Sequence, residues 1–209
     1  TNLMKEINMM EHATIVNRDR VHYYHSFEWA NSHGVTTESL GFGMLYYFLT
    51  EFSGGHRCVC IGSGGGFVPS IMRQSQKENN IKGARTYLID AVTDAGYGTP
   101  AWAGNSDHKF MRHYKDVHKI LKKSADAVKD INFHINYLHI DGDHSYDGVK
   151  RDFEDYSPLM TEDGVITVHD TDIPGIRDYL QEISGTIPFE RMSFGKVAVF
   201  KRMEEFKNA

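Results

Sequence analysis

Two short runs of the sequence end in side chains that can bind a metal ion or move a proton. Tyr137-Leu-His-Ile-Asp-Gly-Asp-His144 ends in two carboxylates and an imidazole, and Val165-Ile-Thr-Val-His-Asp170 ends in one of each. Carboxylates and imidazoles that lie close together can share a divalent cation or act as general bases near neutral pH. We therefore expect Asp141, His169 and Asp170 to meet in a reactive centre.

The stretch between these runs indicates how they are brought together. Both runs begin with strand-forming residues, and Val149, Phe153 and Tyr156 recur between them at helical spacing with charges opposite. A strand, a helix and a strand in this order make the two strands parallel, so their carboxyl ends lie on one sheet edge, about 5 Å apart if the strands are neighbours. Ligands of open parallel sheets bind at that edge, so the pattern predicts an α/β protein with its site where the two runs end.

A second candidate binding element follows an earlier strand-like run. Gly62-Ser-Gly-Gly-Gly66 leads directly into a predicted helix that starts at Phe67. A glycine loop between a strand and a helix lets a ligand approach backbone N–H groups. The dinucleotide-binding pattern would need a glycine in place of Phe67, so the loop alone identifies no ligand. Asp90 ends the next predicted strand, 86–89, where it can accept hydrogen bonds from a ribose diol or cap a turn.

The rest of the pattern extends the same architecture. Helices are predicted over 38–52, 107–116 and 175–183, and further strands over 117–121, 187–192 and 196–201. Because Ser193-Phe-Gly195 joins the last two strands as a tight hairpin, the sheet should finish with an antiparallel strand. The aromatic patch 23–29 is either a lid or core packing, and the loop 91–106 is long enough to have a function.

Bulk composition fits one globular domain. The chain has 209 residues, 40% hydrophobic and 24% charged, with a formal net charge of −5. The mild charge without a basic block argues against nucleic acid as a main partner. No apolar run approaches the roughly 20 residues of a membrane span, and we expect no membrane association and a cytoplasmic location. Cys58 and Cys60 lie two positions apart in one extended strand, a spacing that is unfavourable for a disulfide bond, so we expect reduced thiols.

Taken together, the motifs resemble those of a known family. The series Ile61-Gly-Ser-Gly-Gly-Gly66, Asp90, Ile140-Asp-Gly-Asp-His-Ser-Tyr-Asp-Gly-Val-Lys-Arg-Asp152 and His169-Asp170-Thr171 resembles the class I S-adenosylmethionine-dependent methyltransferases. It is most similar to the small-molecule O-methyltransferase branch that includes macrolide sugar methyltransferases and proteins labelled cephalosporin hydroxylase. The resemblance covers roughly residues 56 to 202.

This resemblance implies a fold and a domain organisation. It implies a doubly wound, Rossmann-like, mostly parallel seven-stranded sheet with an antiparallel C-terminal strand and helices on both faces. Residues 1–209 would form a single domain, with a helical or lid segment over 1–55 and a cofactor-binding core over 56–209.

The resemblance also implies site residues. The glycine loop and the acid after the second strand hold S-adenosylmethionine in such enzymes, and residues after the third strand often meet its adenine. The residues that this implies for cofactor binding are Gly62, Ser63, Gly64, Gly66, Asp90, Ser124, Asp126 and Asp141. Metal-dependent members bind a divalent cation at the ends of the fourth and fifth strands, which implies Asp141, His169 and Asp170. His144 would be the catalytic base, together with Asp141 as the second catalytic residue.

Two positions depart from the family pattern. Cys60 stands where many members have an acidic residue before the glycine loop, and His169 stands where relatives often have a carboxylate. Because Mg²⁺ prefers oxygen ligands, a nitrogen ligand favours manganese, iron or another transition metal. A cation at this site would orient two neighbouring substrate oxygens and lower their pKa values, and His144 would then accept the proton. His144 could instead be a helix-entry residue bonded to local backbone.

The resulting hypothesis is a metal-assisted O-methyltransferase of a small hydroxylated molecule, and two other functions fit the same sequence. His139, Asp141 and His169 match the two-histidine, one-carboxylate iron site of oxygenases, which would make the protein a hydroxylase. A non-catalytic protein that keeps the cofactor pocket is the third possibility. The substrate pocket would be built from residues 15–35 and 91–114, and exposed aromatic residues there could also support a homodimer.

Overall fold

The computed structural model describes residues 18–62, 64–91, 100 and 102–203. Three sequence-based predictions lie wholly or partly outside these residues: the cofactor contact of Ser63, most of the loop 91–106, and the beginning of the segment 1–55.

Across the described residues the chain forms seven strands and seven α-helices. The strands are β1 (Arg57–Ile61), β2 (Arg85–Ile89), β3 (His118–Ile120), β4 (Ile135–Ile140), β5 (Met160–Val168), β6 (Phe189–Phe194) and β7 (Val197–Arg202). The α-helices are α1 (Arg18–His25), α2 (Gly43–Phe52), α3 (Phe67–Glu78), α4 (Lys109–His113), α5 (Ser124–Ala127), α6 (Tyr146–Tyr156) and α7 (Pro174–Glu182). Short 3₁₀ turns at Ala30–His33, Val128–Asp130 and Ser157–Leu159 complete the described secondary structure.

All seven described strands belong to one sheet, in the order β3-β2-β1-β4-β5-β7-β6. Strands β1 to β5 pair in parallel, whereas β7 pairs antiparallel with both β5 and β6. The predicted fold class is therefore confirmed. Ile61 pairs with both Ile89 and Ile140, and Ile140 pairs with Val168, so the residues that follow β1, β2, β4 and β5 emerge side by side.

Alternation along the strands divides the core into two layers. In β1, Cys58 and Cys60 point to the layer that contains α1, α2 and α3, while Val59 and Ile61 point to the layer that contains α6 and α7. The helical period predicted for α6 is confirmed, since Val149, Phe153 and Tyr156 are all buried in the second layer. The two free cysteines are fully buried, as predicted.

The segment before β1 joins the first layer. Tyr24, Phe27 and Ala30 pack in the same cluster as Cys60 and Phe67. This packing carries the turn Ala30–His33 to the edge of the sheet. None of the helices in the described part of the chain is both long and apolar enough to cross a membrane.

Several element boundaries differ from the prediction. The helix predicted over 107–116 covers only Lys109–His113, and the strand predicted over 187–192 is Phe189–Phe194. The helix predicted from residue 38 starts at Gly43, because residues 36–42 form a turn in which the Phe42 N–H donates to the His33 carbonyl at 2.8 Å. The hairpin turn predicted at residues 193–195 lies at Gly195 and Lys196, since Phe194 pairs with Val197.

Candidate active site

The carboxylate of Asp141 lies at the centre of a group of four histidines. Its Oδ1 atom is 3.3 Å from both His144 Nε2 and His169 Nδ1. Its Oδ2 atom is 3.7 Å from His33 Nε2 and 3.8 Å from His139 Nε2. Each oxygen of this one carboxylate therefore faces two imidazoles.

Neighbouring strands hold three of these groups in place. The Asp141 N–H donates to the Ile61 carbonyl at 2.9 Å, and the His169 N–H donates to the Ile140 carbonyl at 3.1 Å, so both side chains project from the same edge. His139, within β4, has its Nδ1 atom 2.8 Å from the Thr167 hydroxyl of β5. The ends of β4 and β5 therefore lie side by side, as the sequence predicted.

Asp170 completes the same centre. Its backbone has a φ of 51°, in the left-handed region, which turns the chain directly after the buried His169. One Asp170 oxygen lies 3.4 Å from His169 Nδ1 and the other 3.9 Å from His144 Nε2.

His33 was not among the predicted site residues. It lies in the 3₁₀ turn Ala30–His33, is only 4% exposed, and its Nδ1 atom is 3.1 Å from the Tyr46 hydroxyl. Its ring centroid is 4.2 Å from that of His169. The sequence placed His33 only within a segment expected to line the pocket, because a single histidine outside any periodic pattern gives no sign of its orientation.

The charges of this centre depend on one another. Burial alone would raise the pKa of Asp141, but the imidazoles of His139, His144 and His169 outweigh burial and hold that pKa well below its ordinary value. Burial would likewise lower the pKa of His169, but the carboxylates of Asp141 and Asp170 raise it to about 9. The His169 imidazole in turn lowers the pKa of Asp170. The two carboxylates therefore favour the imidazolium form of His169 at neutral pH.

The other three histidines differ in charge. Burial lowers the pKa of His33 to about 3 and also lowers the pKa of His139, so both are neutral at pH 7. The hydrogen bond to Asp141 raises the pKa of His144, which is less buried than the others. His144 is therefore the imidazole best suited to exchange a proton with a bound molecule.

Two sets of described side chains bring metal-binding atoms to within 4.8 Å of one another. One set is Asp141, His144 and Asp170, and the other is His33, Asp141 and His169. The predicted ligands Asp141, His169 and Asp170 are thus divided between the two sets. His139 belongs to neither, which weakens the iron-oxygenase interpretation.

The predicted cofactor residues lie beside this centre on the same edge. The Gly62 N–H donates to the Ile89 carbonyl at 2.9 Å, and the Asp90 N–H donates to the Ile120 carbonyl at 3.1 Å. Gly62 has a φ of 76°, and a β-carbon there would come within 2.1 Å of the Asp141 carbonyl oxygen. Only glycine allows this contact between the end of β1 and the end of β4.

The glycine loop also contacts the N-terminal segment. A β-carbon on Gly64 would come within 2.9 Å of the Trp29 indole, and one on Gly65 within 2.5 Å of the Glu28 carbonyl oxygen. A β-carbon on Gly66 would meet the ring of Phe110 at 2.5 Å. These glycines therefore serve the packing of other protein segments, a requirement that the sequence motif did not indicate.

The two residues expected near the adenine differ in their surroundings. The Ser124 carbonyl accepts a hydrogen bond from the Tyr156 hydroxyl at 2.8 Å. The Asp126 side chain is 65% exposed and lies 3.3 Å from Lys129 Nζ. The cofactor roles of both residues stay predictions, and the surface ion pair of Asp126 gives its role less support.

Comparisons with known proteins place this architecture in a family. A family model described as a methyltransferase domain matches residues 59–171. A curated relative, uncharacterized protein y4gI of Sinorhizobium fredii (strain NBRC 101917 / NGR234), is 32% identical over 90 residues, which are 39% of this chain and 10% of that protein. The chain thus matches about a tenth of that relative's length.

Solved structures share the fold at low sequence identity. The O-methyltransferase TomG from Streptomyces achromogenes, in complex with S-adenosylmethionine, superposes with a TM-score of 0.66 and 12% identity over 94% of this chain and 95% of its own. MycE, a methyltransferase of the mycinamycin pathway in complex with Mg, S-adenosylhomocysteine and mycinamycin VI, gives a TM-score of 0.56 and 14% identity over 80% of this chain and 51% of its own. Because the matching family model covers more than half of the sequence, including the end of β1, all of β4 and Asp141, the chain belongs to the methyltransferase domain family and has the class I methyltransferase fold.

Proposed function

We propose that this protein transfers the methyl group of S-adenosylmethionine to a hydroxyl oxygen of a small molecule, assisted by a divalent cation. The observation that supports this proposal best is the direct contact between the cofactor-type loop and the acid centre, where Gly62 lies against the backbone of Asp141. A methyl donor beside Gly62 and an acceptor hydroxyl beside Asp141 would be adjacent, as in-line transfer requires.

The cofactor edge supports the donor half of the proposal. Gly62 and Asp90 follow paired residues of β1 and β2, so a ribose held by Asp90 would place the rest of the nucleoside along the loop. S-adenosylmethionine supplies a sulfonium-bound methyl group, which a hydroxyl oxygen can attack once it is partly deprotonated.

His144 is the residue that we assign as the base. Its Nε2 atom lies between Asp141, at 3.3 Å, and Asp170, at 3.9 Å. When the imidazole accepts the substrate proton, these two carboxylates stabilise the positive charge that forms. Asp141 also holds the His144 ring in one orientation, so its part in proton transfer is to position the base.

The same centre fits a divalent cation. His169 Nδ1 lies 3.3 Å from one oxygen of Asp141 and 3.4 Å from one oxygen of Asp170, which matches the roughly 3 to 4 Å between ligands that share an ion. We assign Asp141, His169 and Asp170 as its ligands because His169 contacts both carboxylates, although His169 and Asp170 fall in different sets of converging atoms. The ion would lower the pKa of a bound hydroxyl. The nitrogen donor favours Mn²⁺ over Mg²⁺, although MycE was solved with Mg.

A direct assay tests this function. The protein is incubated with S-adenosylmethionine and a panel of catechols and hydroxylated sugars, with and without Mn²⁺, and products are identified by mass spectrometry. We expect one methylated product and one S-adenosylhomocysteine per turnover, and loss of the reaction after chelation. Asp172→Asn provides a matched control, because Asp172 is exposed and pairs with Lys196 outside the centre.

Three other outcomes have distinct meanings. Turnover that survives chelation would remove the cation from the proposal and leave methyl transfer. Cofactor binding by calorimetry without turnover on any hydroxylated compound would favour the non-catalytic binding protein. Absence of both binding and turnover would contradict the proposal as a whole.

A further inference from the structure

The set formed by His33, Asp141 and His169 is not fully used by the proposed methyl transfer. Its metal-binding atoms all lie within 4.8 Å of one another. His33 is 4% exposed and His169 is fully buried, so the set lies on the inner side of the centre. The three residues come from the 3₁₀ turn Ala30–His33, the end of β4 and the end of β5.

His33 is oriented as a metal ligand is. The Tyr46 hydroxyl is 3.1 Å from His33 Nδ1, and this contact fixes the ring so that the other nitrogen, Nε2, faces Asp141 Oδ2 at 3.7 Å. That separation is too long for a hydrogen bond and suits two ligands on one ion, which lie about 3 to 4 Å apart. Metal-binding histidines usually have their second nitrogen held by a hydrogen bond in this way.

His169 supplies an independent observation. Its Nδ1 atom is occupied by Asp141 and Asp170, whereas its Nε2 atom is buried and has no hydrogen-bond partner among the residues that the structure describes. A buried polar atom without a partner destabilises the folded protein. A cation bound at Nε2 would remove that cost, and the His33 ring, whose centroid is 4.2 Å from that of His169, is close enough to share it.

The donor chemistry selects the kind of ion. Two imidazoles and one carboxylate are typical of zinc and other transition metals, whereas Mg²⁺ and Ca²⁺ prefer oxygen ligands. We propose that His33, Asp141 and His169 bind a divalent transition-metal ion such as zinc, and that this ion fastens the N-terminal segment to the sheet edge. The ion joins His33, upstream of α2, to residues more than a hundred positions later in the chain. The ion would share Asp141 and His169 with the cation of the proposed methyl transfer, and its binding is measured without turnover.

Direct metal binding tests the inference. The protein is stripped with a chelator and titrated by calorimetry with Zn²⁺ and, separately, with Mg²⁺; thermal unfolding is followed with and without Zn²⁺. We expect Zn²⁺ to bind far more tightly than Mg²⁺ and to raise the unfolding temperature. His33→Gln should weaken Zn²⁺ binding by at least about a hundredfold, since even residues that only orient ligands contribute about ten- to a hundredfold.

Two controls locate the ion. His134→Gln removes an exposed histidine and should keep the Zn²⁺ affinity within about twofold. Asp170→Asn removes a carboxylate that belongs only to the other set, so it should weaken Zn²⁺ binding less than His33→Gln does. Circular dichroism reports whether each variant folds. If His33→Gln does not fold, Tyr46→Phe replaces it, with an expected loss of about tenfold or more because the His33 ring is no longer fixed.

Three results would overturn the inference. The first is wild-type Zn²⁺ affinity in His33→Gln, or in Tyr46→Phe where that variant is the one that folds. The second is a Zn²⁺ affinity that falls in Asp170→Asn but not in the His33 variant. The third is a wild-type protein that binds Zn²⁺ no more tightly than Mg²⁺.

Discussion

The carboxyl edge of the sheet contains two regions of opposite character. After β4 and β5, side chains form the site: one carboxylate faces four imidazoles at 3.3 to 3.8 Å, and His169 is fully buried. After β1 and β2, backbone forms the site: Gly62 turns the chain with a φ of 76°, and Asp90 is the one ionisable side chain that directly follows those two strands.

The two regions control the site in two different ways. In the first region, electrostatics sets the protonation of each group, because each pKa depends on a charged or buried neighbour. In the second region, the absence of a β-carbon at Gly62 decides how closely the end of β1 can approach its neighbours. The two regions meet at Gly62. Because Gly62 lies against the backbone of Asp141, a change in the glycine loop would displace Asp141.

The largest effect is expected in the side-chain region. Asp141→Asn removes the charge that holds His144 and His169, so turnover should fall by about a thousandfold, in the range found for groups that orient or activate a base. Affinity for S-adenosylhomocysteine, measured by calorimetry, should fall far less than turnover does, because the other residues expected to bind the cofactor are unchanged. Undiminished turnover would contradict the catalytic role of the side-chain region, since the imidazole cluster would then be structural.

The next test addresses the contact between the regions. Gly62→Ala should lower the free energy of unfolding by about 3 kcal/mol, because it adds left-handed backbone strain to a clash with the Asp141 carbonyl. Gly83→Ala is the matched control: Gly83 has a similar φ of 72°, but a β-carbon there would meet no atom within 4 Å. Urea unfolding measures both, and equal losses would show that space at Gly62 has no part in the effect.

The sequence predicted the side-chain region better than the backbone region. Strand alternation and the apolar period of α6 depend on local chemistry, so they predicted that Asp141, His169 and Asp170 would meet at adjacent strand ends. His33 depends instead on the path of residues 34–42 and on packing against Phe67, whose ring centroid lies 5.2 Å away. Such tertiary contacts have no short-range signal in the sequence.

The glycine loop illustrates the same limit. Its glycines indicated a ligand, but contacts of Gly64 with Trp29 and of Gly66 with Phe110 require small residues as well. Asp126 was expected at the adenine because of its position after β3, yet α5 carries its side chain to the surface beside Lys129. Position along a strand predicted where the backbone lies, whereas the direction of the side chain depended on the next turn of the chain.

A buried carboxyl without imidazoles provides the third test. Asp152 in α6 is only 2% exposed, and burial raises its pKa to about 6, whereas the imidazoles hold the pKa of Asp141 low. Between pH 4 and pH 6 the unfolded chain has lost this proton and the folded chain keeps it. The free energy of unfolding should therefore fall as pH rises, by about 3 kcal/mol at most from this group.

Asp152→Asn should remove that fall. Urea unfolding at pH 4, 5, 6 and 7 gives the difference between variant and wild type, in which the titrations of the remaining groups cancel. The variant should gain stability relative to wild type as pH rises and hold a constant advantage above pH 7. Glu154→Gln, which removes an exposed carboxyl from the same helix, is the control for the loss of one charge. A pH profile of Asp152→Asn that runs parallel to that of the wild type would contradict the role of burial.

The smallest effect should lie in the backbone region, where one side chain assists a loop. Asp90→Ala should weaken S-adenosylhomocysteine binding by about tenfold, the lower end for losing a hydrogen bond to a charged group, because Gly62 and its neighbours keep their positions. Asp126→Ala should change the affinity by about twofold or less, since its carboxylate is exposed and paired with Lys129. Calorimetry with both variants ranks the two acids directly. If Asp126→Ala weakens S-adenosylhomocysteine binding more than Asp90→Ala does, the nucleoside lies nearer to the end of β3 than to the end of β2. The backbone region of the site would then extend to β3.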